Sequence, residues 1–511
     1  MLNNILDNFR LLKYFNSKFK SSSKKSNIIL MEYFDYKPSL IVFVLLYACL
    51  KKRYDARIIL YLPNFLPTFK KFYFIFFNIF KPFSLLWYYW ALGSCELIIP
   101  SKKNYSKKKN IKFKNKNNVL NFKYKNILIG DLMYDQYLRY HNKITIDVYD
   151  LNFKNHVNET LELFNFWYIY LKSNKVKSLI ISHSVYNMGI IARIAIYLKI
   201  PVYNPGPNGI FYLSKKYSTK HSPEEYKRYP QIFRKFSLNI KKKLILNSKK
   251  NLKERFKGKR DIKILLDRPT KSDFYKKNFS RKLTFNKKKV KILVQAHQLN
   301  DAVHVYGKNL FADFFEWFEY LGKLSKNRDF TWIIKPHPAE FSHNMGYYDE
   351  LKIKYPQFNI LNSNITNSDL INENINGVTT VYGSGGSEFP LFGIPVINAS
   401  YNNPHIGYNF NYHPKSITAY GNLLNNIKDL KVSKKQASKI YEFYALRYTL
   451  DFTPIKNQEF YVKKLEQNFK DNYVNIFLNQ LNHDRENEIE NDIENFIKSK
   501  NYKLYYLKNI N

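Results

Sequence analysis

The stretch Asn376–Ser400, NGVTTVYGSGGSEFPLFGIPVINAS, decides how the chain is read. Val378, Thr379, Thr380 and Val381 are β-branched and suit a strand. Gly383, Gly385 and Gly386 then turn the chain. A short apolar helix is expected from about Ser387 to Phe392, closed by Gly393 and blocked by Pro395. Val396–Ala399 reads as a second strand. The unit is therefore a βαβ step around a glycine- and serine-rich turn. Such a turn brings backbone N–H groups to a helix N-terminus, where a phosphate is the natural ligand, and Glu388 stands within reach of a sugar hydroxyl on that ligand. Alternatively, the glycines serve only to make a sharp turn and Glu388 only caps the helix.

A second stretch sharpens the choice. In Thr331–Glu340, TWIIKPHPAE, an apolar strand ends at Lys335 because Pro336 and Pro338 cannot extend it. Ligands of open α/β sheets bind at the carboxyl ends of strands. Lys335 and His337 thus stand at the edge expected for the glycine turn, and both can donate to phosphate oxygens.

The order K-P-H-P followed by G-x-E-x4-G-x-P-V (Gly386, Glu388, Gly393, Pro395, Val396) resembles the capsule polysaccharide biosynthesis family. That family is similar to transferases that add 3-deoxy-manno-octulosonic acid (Kdo) and, more distantly, to polyglycerol phosphate transferases. The resemblance covers about 290–450 clearly and 25–215 faintly. It implies a GT-B-like α/β fold, two Rossmann-like domains facing a cleft. It also implies a metal-independent glycosyltransferase of capsule or surface polysaccharide synthesis, with a nucleotide sugar such as CMP-Kdo as donor and a lipid-linked or polysaccharide acceptor. On this reading Lys335, His337, Ser384, Gly385, Gly386, Ser387 and Glu388 bind the donor; the donor is a substrate and no cofactor is expected. A sugar-nucleotide 2-epimerase shares the fold, but its S-G-G-x-Q-E-E run is replaced here by SGGSEFP. A non-catalytic membrane-associated assembly factor is the other rival.

At 511 residues, the chain has room for two domains with further elements. We expect an N-terminal Rossmann-like acceptor domain (1–215), a basic helical insertion (216–289), a donor-binding Rossmann-like domain (290–432), and C-terminal helices with a peripheral charged tail (433–511). The net charge is +43, from 83 Lys+Arg against 40 Asp+Glu. Part of it reflects the Lys-, Asn-, Ile-, Phe- and Tyr-rich composition of an AT-rich genome. Neither an arginine-rich helix nor zinc-finger spacing accompanies it, so the expected partner is an anionic inner-membrane surface and not nucleic acid. Cys49 and Cys95 offer neither a disulfide framework nor metal spacing, which fits a reducing compartment.

The apolar run Leu40–Leu50 is about half the ~20 residues of a membrane span, and residues 1–25 lack a signal-peptide cleavage site. The expected location is cytoplasmic and peripheral at the inner face of the membrane. Lys70–Leu92, KKFYFIFFNIFKPFSLLWYYWAL, is dense in aromatics and flanked by lysines. It fits either a hairpin inserted among lipid headgroups or two core helices.

In the N-terminal half, strands are expected at 27–33, 56–62, 95–100, 126–130, 178–182 and 200–203. Asp131 follows the strand NILIG and His183 the strand SLIIS. Both are expected at the cleft as catalytic groups, Asp131 as the base that takes the acceptor's proton and His183 orienting the acceptor. His297, Asp301 and His304 follow the strand VKILVQ; their spacing matches no standard metal site, so they are expected to contact substrate or shape the loop.

Overall fold

The computed structural model describes residues 2–18, 26–93, 96–102, 111–207, 209–258, 283, 285–362, 365–456 and 461–505. Among the described residues, thirteen strands form two large sheets and a small hairpin. In the N-terminal half these are β1 (Ile28–Glu32), β2 (Arg57–Tyr61), β3 (Leu97–Ile98), β4 (Lys123–Tyr124), β5 (Ile127–Leu128), β6 (Val176–Ile180), β7 (Val202–Gly206) and β8 (Gly209–Leu213). In the C-terminal half they are β9 (Lys291–Gln295), β10 (Thr331–Lys335), β11 (Phe358–Ile360), β12 (Gly377–Thr380) and β13 (Val396–Asn398).

The first sheet runs β3-β2-β1-β6-β7-β8, parallel except for the last strand, which folds back antiparallel on β7. The second runs β11-β10-β9-β12-β13, parallel throughout. In each half the first strand is central and the order reverses beside it, which is the doubly wound arrangement. The chain is therefore an α/β protein of GT-B-like plan, with two Rossmann-like halves. The central strands are near-continuous apolar runs because helices cover both faces; all five residues of β1 and of β10 are buried.

Local sequence explains the covering helices. Lys37–Tyr54 starts with a proline in its first turn and ends on Asp55 in the left-handed region. Twelve of its residues are buried, because β7 lies against one side and the C-terminal helix His483–Ser499 against another. Leu151–Ser173 is capped by Asp150, and Lys434–Tyr444 by a Ser433/Gln436 capping box.

Several expectations are corrected. The run NILIG does not enter the main sheet: Ile127 and Leu128 pair with Lys123 and Tyr124 in a two-residue hairpin. Two residues supply too little ladder to continue the sheet, and Asp131 instead lies in the first turn of the helix Gly130–Tyr140. The C-terminal tail is not peripheral. Helix His483–Ser499 buries Ile489, Ile493, Phe496 and Ile497 against the N-terminal domain, and Lys503 bridges to Phe211 beside β7. The aromatic run divides. Helix Thr68–Phe80 exposes Phe69, Tyr73, Phe76, Phe77 and Phe80, whereas helix Leu85–Ala91 buries Leu86, Tyr88 and Tyr89. Cys95 lies outside the described residues; Cys49 is buried and reduced. Among the described residues no helix is long and apolar enough to cross a membrane.

The two halves share a core and a polar seam. One apolar cluster includes Leu132 and Leu138 of the N-terminal half with Val303 and Phe314 of the C-terminal half. Across the seam, Asp313 accepts from Tyr134 (2.5 Å), Thr145 (2.5 Å) and Lys116 (3.2 Å). Tyr186 donates to Asp301 (2.6 Å), and the imidazole of His304 pairs with Asp135 (2.6 Å).

Candidate functional site

Lys335, the last residue of β10, is buried and donates to Asn367 Oδ1 (3.2 Å). Asn367 Nδ2 donates in turn to Glu388 Oε2 (2.9 Å). Glu388 Oε1 accepts from both Nε and an Nη of Arg255 (3.0 and 2.7 Å). The K-P-H-P and G-x-E motifs are thus joined through Asn367 into one buried network at the carboxyl edge of the second sheet. Arg255 comes from helix Leu238–Phe256 of the basic insertion, so that insertion helps build the site.

The glycine turn is tighter than its motif implies. A single α-turn, Gly385–Glu388, passes directly into a 3-10 turn, Phe389–Phe392. A Cβ on Gly385 would lie 2.0 Å from Gln295 Oε1, and one on Gly386 would lie 2.5 Å from the His405 ring. These glycines are required because side chains press against the turn. Ser384 is exposed, Ser387 Oγ donates to Ser384 O (3.0 Å), and His337 is half-buried, with its Nδ1 accepting from the Ala339 N–H (3.2 Å).

The crevice where strand order reverses lies between β9 and β12. His297 stands there, its Nε2 3.0 Å from Thr380 Oγ1 and accepting from the Tyr382 N–H (3.3 Å), with its ring against Tyr382. His297, Asp301 and His304 do not converge. Asp301 and His304 are committed to the seam with Tyr186 and Asp135. Burial opposes charge on His304, but the Asp135 carboxylate overrides it and raises the imidazole above its ordinary value.

The corresponding crevice of the first sheet lies between β1 and β6. Glu32 closes β1, is buried, and accepts from Ser182 N (2.6 Å) and Ser182 Oγ (2.7 Å). His183 Nδ1 lies 2.9 Å from the same hydroxyl, and the exposed imidazole packs edge-on to Phe34. Burial pushes the Glu32 carboxyl up to about 7 against the lowering effect of the two Ser182 bonds. With Glu32 ionised, the Ser182 proton points to it. His183 then donates through Nδ1, leaving Nε2 as the basic nitrogen.

Asp131 is placed differently. Its two carboxylate oxygens take Arg193 bidentately (2.5 and 2.7 Å). Burial raises the carboxyl, but Arg193 outweighs it and the net value lies below the ordinary carboxylate range. A carboxylate held this way is a weak base.

Sequence reasoning did not single out Glu32, Ser182, Asn367, Arg255 or Asp313. A signal existed for Glu32: it is the charged residue that ends the apolar strand IILME, as Lys335 ends TWII. Asn367 and Arg255 carry no motif and are recognisable only once the chain is folded.

No protein-family model matches the chain, and comparison with curated proteins gives no match. Among solved structures it is similar to the UDP-GlcNAc 2-epimerase of Methanocaldococcus jannaschii in complex with UDP-GlcNAc and UDP. That likeness has 11% identity and a TM-score of 0.28, over 82% of this chain and 98% of the other. It is also similar to a glycosyltransferase from Rickettsia africae ESF-5 (11%, TM-score 0.27, 88% and 99%) and to the wall teichoic acid polymerase TagF (14%, TM-score 0.19, 94% and 100%). Likeness at these scores carries neither fold nor activity to this chain, and the doubly wound architecture stands on its strand order.

Proposed function

We propose that the chain is a GT-B glycosyltransferase that takes a nucleotide-activated sugar and serves capsule or other surface polysaccharide synthesis. The observation that carries this reading is the network Lys335–Asn367–Glu388–Arg255, which unites two motifs distant in sequence at one sheet edge. In it, the backbone of Ser384–Ser387 and His337 face the donor phosphate at the open rim. Lys335 adds positive charge from beneath, and Glu388 anchors the sugar of the nucleoside and holds Arg255. Donors fixed in advance around the leaving phosphate stabilise the charge that develops on it. His183, held by Ser182 and Glu32, faces the acceptor from the other half and takes its proton; the Arg193 pair makes Asp131 a structural carboxylate. CMP-Kdo is the candidate donor from the family resemblance, and a lipid-linked or polysaccharide chain the acceptor.

The exposed aromatic face of helix Thr68–Phe80, with Lys70 and Lys81 beside it, supports a peripheral place on an anionic inner-membrane surface, as does the net charge of +43.

The test is a thermal-shift screen of CMP-, UDP-, GDP- and CDP-linked sugars, followed by transfer assays with labelled donor with and without acceptor. One nucleotide class should stabilise the protein, by ~2.7 kcal/mol at 100 times its Kd, and His337→Ala should weaken that class by about 1.5–3 kcal/mol. Product formed without any acceptor, as the same sugar nucleotide inverted at one carbon, would replace the transferase reading with an epimerase. Binding of none of the four classes would remove both.

A further inference from the structure

Arg447 has no place in the site so far described. It lies in the π-helical segment Ala445–Thr449 that follows helix Lys434–Tyr444, and such segments recur at functional sites. The half-buried guanidinium is enclosed by tyrosines. Nη1 donates to the Tyr226 hydroxyl (2.5 Å), Nη2 reaches the Tyr306 hydroxyl (3.5 Å), and the group stands over the rings of Tyr226 and Tyr448 at 5.4 and 5.8 Å. Among the described residues no carboxylate pairs with it, and the groups that act most on its own charge are Tyr226, Tyr306, Tyr448 and Tyr229. Burial keeps the Tyr226 phenol neutral. A cation removed from water without an anion is costly, and an arginine fork matches phosphate oxygens in pairs.

A second observation lies beside the first. Arg447 is close enough to His405 for its charge to act on that imidazole, which burial first and the charges of His413 and Arg447 second pull down to about 3. His405 is 1% exposed, and its Nδ1 has no hydrogen-bond partner; Asn411 is 5% exposed, and neither its Nδ2 nor its Oδ1 has one. Both side chains press on Gly386: a Cβ there would meet His405 Nδ1 at 2.6 Å and Asn411 Nδ2 at 2.8 Å. On the other side, Tyr306 packs on Tyr382 at 4.9 Å, immediately before Gly383. The tyrosine cage and the unpartnered pair therefore flank the turn Tyr382–Gly386.

We infer that Arg447 is the principal cationic partner of a phosphate group bound against the glycine turn, with His405 and Asn411 as additional polar contacts. The ligand class is a phosphate ester or diphosphate. This deepens the nucleotide-sugar reading and rests on it only for the identity of the natural ligand.

The experiment uses the full 511-residue chain and inorganic pyrophosphate at physiological salt, with affinity from calorimetry and Tm from thermal denaturation. Wild type should bind pyrophosphate and gain Tm. R447M should bind it at least tenfold more weakly, yet melt at or above the wild-type temperature without ligand, because the unpaired cation is gone. R447K, which keeps the charge and covers the case in which R447M does not fold, should lose at least threefold, since an ammonium lacks the fork. R447M or R447K binding pyrophosphate within twofold of wild type overturns the inference. So does a failure of wild-type protein to bind it. The two readings separate cleanly. Pyrophosphate binding lost in R447M with no sugar nucleotide bound or turned over supports the phosphate site and removes the transferase. Sugar-nucleotide turnover unchanged in R447M does the reverse.

Discussion

The two halves of the molecule share a strand order and differ in what they place where that order reverses. Between β1 and β6 stand a buried carboxylate, a serine and an exposed imidazole: Glu32, Ser182 and His183. Between β9 and β12 and along the adjoining edge stand His297, the glycine turn, Lys335 and a glutamate already bound by Arg255. The first collection can move a proton; the second can hold an anion. The same topology thus offers the same crevice twice, and the chemistry comes from the residues that end a few strands.

The largest effect should come from breaking the C-terminal network. Glu388→Ala removes the carboxylate from Arg255 and a partner from Asn367, both within a buried pair. Removing one member of a buried ion pair costs about 3–5 kcal/mol, so chemical denaturation should show a loss of that order, with donor affinity falling as well. A loss under about 1 kcal/mol would mean that Glu388 is not a structural member of the site and that the comparison must be drawn elsewhere.

The N-terminal side has a matching test in its pH dependence. The folded Glu32 carboxyl titrates near 7, above its ordinary 4.5. Between those values the folded state holds the proton more tightly than the unfolded state. Stability from this group is therefore full below about 4.5, falls as pH rises through the window, and is gone above about 7. A shift of this size corresponds to about 3 kcal/mol. Glu32→Gln should remove the fall: relative to wild type it should gain stability as pH rises to 8, with Tyr61, Tyr89 and His183 as the nearby titratable groups. Parallel stability–pH curves for the two proteins would show that Glu32 titrates alike in the folded and unfolded states and that the N-terminal half holds no extra proton there.

The chemistry should follow the same division. His183→Ala should lower turnover by ~10²-fold or more while leaving donor affinity within twofold, because a lost general base acts on the chemical step. Asp131→Asn should instead destabilise the fold by loosening Arg193, with turnover largely retained. If Asp131→Asn abolishes turnover at unchanged stability, the order of the two residues is reversed.

How much of this was legible depended on the kind of signal. Strands β1, β2, β6, β9, β10, β12 and β13 announce themselves as short apolar runs closed by glycine, proline or charge, and parallel sheets demand such runs. That Lys335 ends a strand and that the glycine turn follows another at the same sheet edge could be read because motif and strand end coincide. Asp131 was misplaced because NILIG has the composition of a strand but only two residues that pair, and the helix after it starts at Gly130. Arg255, Asn367 and Asp313 were out of reach, since their partners lie 133, 21 and 179 residues away in the hydrogen-bonded pairs. The C-terminal tail looked solvated because its acidic face is dense, whereas the residues that matter, Ile489, Ile493, Phe496 and Ile497, fall at helical spacing on the opposite face.

The smallest expected effect on stability concerns a region that belongs to neither crevice. Helix Thr68–Phe80 presents Phe69 (79% exposed), Phe80 (68%), Tyr73, Phe76 and Phe77 to the outside, a density of aromatic surface that soluble faces avoid. Its neighbour Leu85–Ala91 is anchored by Tyr88, whose hydroxyl donates to Asn8, and by Tyr89, which donates to the Glu32 carbonyl. The aromatic helix is held on one face only, where Phe74 and Ile79 pack on the N-terminal core and Asn78 accepts from Tyr33 (3.0 Å), so that Phe69, Phe76 and Phe80 stay outward. Replacing Phe69, Phe76 and Phe80 with Ser should change folding stability by no more than about 0.5 kcal/mol each, as for ordinary surface positions. It should nevertheless abolish sedimentation with anionic liposomes, which in wild type is expected to weaken as salt screens the lysines. Retained sedimentation in the triple variant would shift membrane attachment to the lysines alone. Aggregation or a large loss of stability would show that these rings pack in solution against some other part of the protein. In that case the region would be an extension of the N-terminal core, and the contrast between the two halves would include the way each covers its sheet.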